Sequence, residues 1–209
     1  MPPDPLPPAA AEALARLEEG NRRFVENVRS LESLRARERL AELVGAQAPF
    51  AVILGCSDSR APAETLFDQG LGDLFVIRVA GNVVAPSQVG SVEFAVAQFG
   101  TPLVVVLGHT RCGAVQATLN ALRGTTSGSP NVLSILDRVK PAVASLIHTG
   151  LAGDPEALMQ EAVRANVRIA VDHLRHGSAS LEEAIRRGRV AVVGAVFELE
   201  TGRVLFLDD

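Results

Sequence analysis

Short, continuous apolar runs alternate with amphipathic stretches along this chain. Three of these runs have the length of strands covered on both faces, at 50–55, 74–79 and 103–108. Apolar side chains at helical spacing predict helices at 9–28, 31–44, 88–99, 114–122, 132–148, 155–176 and 181–187. The segment from residue 189 onward predicts a strand, a turn at 200–202 and a last strand.

Strands that alternate with helices are typical of an α/β protein with a mostly parallel central sheet flanked by helices. The final hairpin predicts an antiparallel C-terminal edge strand, and the first two helices predict an N-terminal helical arm. We therefore expect a single domain over 1–209, with the arm at 1–45 and the α/β core at 46–209.

Composition and charge narrow the class of protein. With 47% hydrophobic residues and a formal net charge of −4, the chain has the composition of a folded protein and lacks the basic surplus of a nucleic-acid binder. No apolar run approaches the roughly 20 residues that a membrane helix needs. The first residues also lack the basic region of a secretory signal. We expect a cytoplasmic protein with neither a membrane nor a nucleic acid as partner.

The candidate chemistry lies directly after two of the predicted strands, because functional groups of α/β sheets gather at the carboxyl ends of strands. Cys56 follows the first strand, and His109 and Cys112 follow the third. Three protein ligands with an open fourth position are the pattern of catalytic zinc. Two buried cysteines and a hydrogen-bonded core histidine fit the same spacing, so the spacing alone leaves both interpretations open.

Asp58 and Arg60 favour the metal interpretation. A carboxylate and a guanidinium two residues apart can pair and still leave a carboxylate lone pair for a metal-bound water. The simpler alternative is a helix-capping aspartate beside a solvated arginine.

The two motifs CSDSR (56–60) and HTRCG (109–113) together resemble those of the β-class carbonic anhydrases. The resemblance continues through AETLFDQGLGDLFVIRVAGNVV, GSVEFAVAQFG and PLVVVLGHTRCGAV, and covers most of 47–122. It implies a zinc-dependent carbonic anhydrase, a lyase that reversibly hydrates CO₂ to bicarbonate and a proton through a zinc-bound hydroxide.

The resemblance also implies the role of each site residue. Cys56, His109 and Cys112 would be the ligands of Zn²⁺. Asp58 and Arg60 would be the catalytic pair beside the fourth coordination position, and an inactive state with Asp58 itself as fourth ligand stays open.

Four further residues would bind the substrate. The resemblance implies that Gln47 donates a hydrogen bond across a dimer interface, and that Phe75 and Phe94 line an apolar CO₂ pocket. The backbone N–H of Gly113 would lie near bicarbonate. A site that borrows a residue from a neighbouring subunit implies a homodimer, or a tetramer built from dimers.

Two alternatives to this activity stay open. The same zinc site would serve a hydrolase of CS₂ or COS. A non-catalytic zinc protein, or a thiol-redox protein that forms a reversible Cys56–Cys112 disulfide, would also contain these residues.

Charged residues outside the two motifs have simpler interpretations. Arg16, Arg22 and Arg23 predict a solvated helix face, and Asp68 and Asp73 lie in predicted turns, where they would cap the backbone.

Overall fold

A computed structural model describes residues 5–30, 36–125 and 128–208. Its α-helices are α1 (Pro8–Val25), α2 (Ala36–Leu43), α3 (Ala63–Leu66), α4 (Pro86–Phe99), α5 (Gly113–Leu122), α6 (Pro130–Val143), α7 (Pro155–His176) and α8 (Ala179–Arg186). The strands are β1 (Ala51–Gly55), β2 (Leu74–Arg78), β3 (Leu103–His109), β4 (Ala191–Phe197) and β5 (Val204–Phe206). Short 3₁₀ helices occupy Ala80–Asn82, Leu146–His148 and Gly150–Gly153.

The described strands form one sheet in the order β2-β1-β3-β4-β5, with every neighbouring pair parallel except β4 and β5. This confirms the predicted α/β fold with an antiparallel C-terminal edge strand. Gly55 at the end of β1 pairs with Arg78 on one side and Leu107 on the other. The parallel register therefore brings the residues that follow β1, β2 and β3 to one edge of the sheet.

Alternate residues of the buried strands enter two apolar clusters, because successive side chains of a strand point to opposite faces. Val52 and Val104 join the cluster that contains the apolar face of α7. Ile53 and Val105 join the other, where α1 contributes Ala10, Ala13 and Leu17. The first helix of the predicted arm thus packs on the chain's own sheet, while the single domain over 1–209 stays a prediction.

Several predicted boundaries differ from the structure. The predicted helix 132–148 ends at Val143 and is followed by a separate 3₁₀ turn, which begins soon after Pro141, a residue without a backbone N–H. The first helix ends at Val25 rather than 28, because Asn27 takes a left-handed conformation at φ 57°. Residues 31–35 of the predicted second helix lie outside the described residues. The predicted helix 155–176 is confirmed with its bounds unchanged.

The interpretation of the arginines of α1 as a solvated face was wrong for Arg23, which is partly buried, whereas Arg16 and Arg22 are exposed; Arg16 nevertheless also pairs with a buried aspartate. Arg23 Nε donates to Asp68 Oδ2 at 2.6 Å, and Arg16 lies 3.0 Å from Asp73 Oδ2. The docking of α1 beside the turn 67–73 brings these arginines within reach of buried aspartates. Arg22 alone of the three pairs only with exposed glutamates of its own helix.

Asp68 and Asp73 correspondingly do more than cap turns. Asp73 does accept the Gly70 N–H at 3.0 Å, as expected of a turn residue. Both carboxylates are buried, however, and each contacts arginines that precede the sheet in the sequence.

Candidate metal centre

The three candidate ligands meet at the carboxyl edge of the sheet. Cys56 is the first residue after β1, His109 is the last residue of β3, and Cys112 directly precedes α5. All three are buried, and their ligand atoms lie within 4.8 Å of one another. Among the described residues, Cys56, His109 and Cys112 are the one group of three potential metal ligands that lie this close together.

A tight reversal of the chain brings Cys112 back beside His109. Arg111 adopts a left-handed conformation at φ 56°, which is unusual for a residue with a side chain. Cys112 then serves as the N-cap residue of α5. The strain at Arg111 is thus stored between two candidate ligands.

The imidazole of His109 is oriented as a ligand would be. Its Nδ1 lies 2.9 Å from the carbonyl oxygen of Thr110, which can only accept, so Nδ1 carries the proton. Nε2 is buried and has no hydrogen-bond partner among the described residues. A buried polar atom without a partner is costly, and a metal ion bound to the Nε2 lone pair removes that cost. The site therefore fits a metal ion.

The two thiols lead to the same conclusion. Their sulfur atoms are 4.0 Å apart, and Cys56 Sγ also accepts the Gly81 N–H at 3.3 Å. The hydrogen bond from Cys112 lowers the pKa of Cys56, and the same contact raises the pKa of Cys112. A bound divalent cation stabilises thiolates, so two sulfur atoms this close together fit a shared metal ion.

Asp58 and Arg60 form a two-pronged ion pair beside these ligands. Arg60 Nε donates to Asp58 Oδ1 at 2.9 Å, and Nη2 donates to Oδ2 at 2.8 Å. These bonds hold the pKa of the Asp58 carboxyl well below its usual range. Asp58 Oδ2 lies 3.9 Å from His109 Nε2, so an ionised carboxylate stands at the edge of the candidate centre.

Arg78 also belongs to this site, although neither of the two motifs contains it. Its Nε donates to the carbonyl oxygen of Cys56 at 3.0 Å, and its Nη2 donates to that of Asp58 at 2.6 Å. It thereby fixes the backbone that carries a candidate ligand and the carboxylate. The sequence indicates this role only indirectly, because Arg78 is the last residue of a strand that pairs with β1.

The four predicted substrate-binding residues lie in separate elements. Phe75 of β2 and Phe94 of α4 have ring centroids 6.3 Å apart, and Phe99, which was not predicted, contacts both. Phe94 is 52% exposed. Gln47 is exposed in the segment between α2 and β1, and Gly113 is the exposed first residue of α5. Their roles stay predictions.

Fold and site together define an α/β protein with a buried Cys₂His centre that can hold a metal ion. The family model described as carbonic anhydrase matches residues 51–204. The chain belongs to the β-carbonic anhydrase family. The predicted family is confirmed, and with it the predicted enzyme class.

Two curated relatives match nearly the whole chain. The carbonic anhydrase of Mycolicibacterium smegmatis is 43% identical over 202 residues, which cover 97% of this chain and 94% of that protein. Carbonic anhydrase 2 of Mycobacterium tuberculosis is 40% identical over 206 residues, which cover 99% and 95%. The sequence likeness therefore extends well beyond the motifs.

Solved structures show the same fold. The β-carbonic anhydrase CcaA matches with a TM-score of 0.76 at 26% identity, over 93% of this chain and 95% of that one. A tetrameric β-carbonic anhydrase of Sordaria macrospora matches with a TM-score of 0.71 at 23% identity, over 95% and 98%.

Within the described residues, no helix is both long and apolar enough to cross a membrane. The predicted cytoplasmic location stays a prediction.

Proposed function

We propose that this protein is a zinc-dependent carbonic anhydrase that reversibly hydrates CO₂ to bicarbonate and a proton. The observation that carries the proposal is the convergence of Cys56, His109 and Cys112 beside the Asp58–Arg60 pair. Family membership and the names of the curated relatives support the same activity.

Zinc is the metal that the donor set favours, since two thiolates and an imidazole suit Zn²⁺. Bound there, zinc lowers the pKa of water to about 7 and so supplies a nucleophile at neutral pH. Cys56, His109 and Cys112 would hold the ion, and the Thr110 carbonyl would keep Nε2 of His109 free to bind it.

Asp58 acts as the acceptor that orients the nucleophile. Its carboxylate stays ionised because the Arg60 guanidinium binds both oxygens. Oδ1 also accepts the Arg60 backbone N–H at 3.0 Å, so Oδ2 is the oxygen that keeps a lone pair for one more hydrogen bond. A water or hydroxide that donates a hydrogen bond to Asp58 Oδ2 would present its own lone pair to CO₂. The pairing with Arg60 favours this role over the inactive state in which Asp58 is a fourth ligand.

CO₂ and bicarbonate require different surroundings. The rings of Phe75 and Phe94 offer an apolar surface for CO₂, while the N-terminus of α5 at Gly113 favours an anion such as bicarbonate. Gln47 would complete the site from a second copy of the chain. The exposure of Gln47 and Phe94 supports a homodimer or a tetramer built from dimers, which analytical ultracentrifugation would test.

The direct test is stopped-flow CO₂ hydration with a pH indicator between about pH 6.5 and 9, a range around the zinc–water pKa, on protein of measured metal content. We expect rapid hydration that depends on zinc and rises with pH. Cys112→Ser should lose both the metal and the activity, and is the matched negative control.

Fully zinc-loaded protein that fails to hydrate CO₂ at every pH would overturn the proposal. Hydrolysis of COS or CS₂ by the same sample would then identify the alternative enzyme. A reversible Cys56–Cys112 disulfide in protein without stoichiometric zinc would identify the redox alternative.

A further inference from the structure

We propose that Glu200, in the turn between β4 and β5, is a positioning residue for His109. It acts through Thr110 and Arg111, the two residues that lie between the candidate ligands His109 and Cys112. The inference rests on the proposed function, because it gives these residues the role of positioning a metal ligand.

Thr110 connects the imidazole to the C-terminal hairpin. Its carbonyl accepts from His109 Nδ1, and its own N–H donates to the Phe197 carbonyl at 2.9 Å. Its hydroxyl accepts the Leu199 N–H at 3.0 Å and donates to Glu200 Oε2 at 3.2 Å. The group that sets the tautomer of His109 is therefore tied to the hairpin by three hydrogen bonds.

Glu200 holds the next residue as well. Arg111 Nε lies 2.8 Å from Glu200 Oε1, so one carboxylate uses its two oxygens on two consecutive residues. Arg111 is the residue with the left-handed backbone, a conformation that persists only where its surroundings enforce it. The carbonyl oxygen of Arg111 also accepts a hydrogen bond from Arg60 Nη2 at 3.5 Å, which links the same turn to the Asp58–Arg60 pair.

The consequence for the metal follows from the way histidine ligands are oriented. Groups that hydrogen-bond a ligating imidazole change metal affinity by about 10–100-fold when they are removed. The backbone carbonyl of Thr110 is such a group, and the Thr110 hydroxyl and Glu200 act on it indirectly by holding the residue in place. The Glu200 side chain is also half exposed, and exposed ion pairs contribute little to stability. Its effect should therefore appear in the metal site rather than in global stability.

The test compares zinc affinity, by competition with a chelator, and the visible spectrum of the Co²⁺-substituted protein. Thr110→Val removes the hydroxyl but keeps the carbonyl that bonds the imidazole, so it should weaken zinc binding by about 10-fold, the lower end of the range for such groups, and shift the cobalt bands. Thr110→Ser restores the hydroxyl and should stay close to wild type. Glu200→Ala should weaken zinc binding by a smaller factor, about 3–10-fold.

Glu198→Ala is the matched control. Glu198 lies in the same hairpin turn, and its carboxylate contacts Thr201 rather than the turn between the ligands. It should leave zinc affinity and the cobalt spectrum unchanged.

Zinc affinity and cobalt bands in Glu200→Ala that match those of Glu198→Ala would overturn the inference. If Thr110→Val fails to fold by far-ultraviolet circular dichroism, the Glu200 comparison decides by itself. A fall in melting temperature alone, without a change at the metal, would also count against it. Neither readout requires turnover, so an inactive wild-type protein would sink the proposed function and leave this inference to be judged separately.

Discussion

Two aspartate–arginine ion pairs of this protein have similar short contacts but different roles. Arg60 and Asp58 are two residues apart, whereas Arg23 and Asp68 are separated by 45. The Asp58 side chain is 18% exposed and stands beside the candidate ligands, while that of Asp68 is fully buried between α1 and the turn before β2. A carboxylate that reaches solvent can take part in chemistry, whereas a buried one is committed to holding elements together.

The surroundings of the second pair support that distinction. The Ser30 N–H donates to Asp68 Oδ2 at 3.0 Å, and Arg29 Nη1 lies 3.8 Å from Oδ1. Asp68 therefore gathers contacts from the end of α1 and from the chain beyond it. Charge pairing by itself therefore does not mark a catalytic residue, since its location relative to the candidate ligands decides its role.

The variant Asp58→Ala should show the greatest change of those proposed here, and it separates the chemical role of the Asp58–Arg60 pair from its contribution to stability. Asp58→Ala should lower kcat for CO₂ hydration by about 100- to 1,000-fold, the range for the loss of one preorganised hydrogen bond at the reacting group. Zinc content and melting temperature should stay as in wild type, because Asp58 is partly exposed and pairs only locally. Stopped-flow assays and metal analysis on one sample check this, and normal turnover would remove Asp58 from the mechanism.

The Arg23–Asp68 pair should affect the stability of the protein and leave its turnover nearly unchanged. Arg23→Ala leaves the buried Asp68 carboxylate without its shortest ion pair and should lower the free energy of unfolding by about 3 kcal/mol. Its kcat should change little. Arg22→Ala is the control from the same helix, where the side chain is exposed and pairs only with glutamates of α1. Urea unfolding of the two variants that gave equal losses would contradict the distinction.

The close packing of α1 against the core can be tested by a substitution that changes no charge. A Cβ at Gly20 would collide with the backbone carbonyl of Phe67, so Gly20→Ala should destabilise by about 2 kcal/mol despite the better helix propensity of alanine. Gly90→Ala in α4 meets nothing within 4 Å and should be neutral or slightly stabilising. Thermal unfolding compares them, and a stable Gly20→Ala would show that α1 docks loosely.

The smallest effect concerns the partly exposed contact of Arg16. This guanidinium lies 3.0 Å from Asp73 Oδ2 and 4.1 Å from the centroid of the Phe50 ring. Because Arg16 is 42% exposed, Arg16→Ala should cost no more than about 1 kcal/mol in urea unfolding. A loss as large as that of Arg23→Ala would mean that exposure does not distinguish the two arginines.

Features that depend on short-range patterns could be predicted from the amino-acid sequence. The apolar runs predicted the buried strands β1 and β3, and polar residues at their ends indicated the place of the site. The run at 74–79 was predicted to be covered on both faces, but it forms β2, an edge strand that is only partly buried. The ligand set and the Asp58–Arg60 pair were also accessible, because two motifs of five residues contain them.

The residues that support the site from distant parts of the sequence depend on how the elements pack. Arg78 reaches the carbonyls of Cys56 and Asp58 because β2 pairs with β1, and Glu200 reaches Thr110 because β4 pairs with β3. Arg23 meets Asp68 because α1 docks on one face of the sheet. These contacts join residues 20 to 90 positions apart. Their pairing depends on strand order and helix docking, which no local spacing of residue types records.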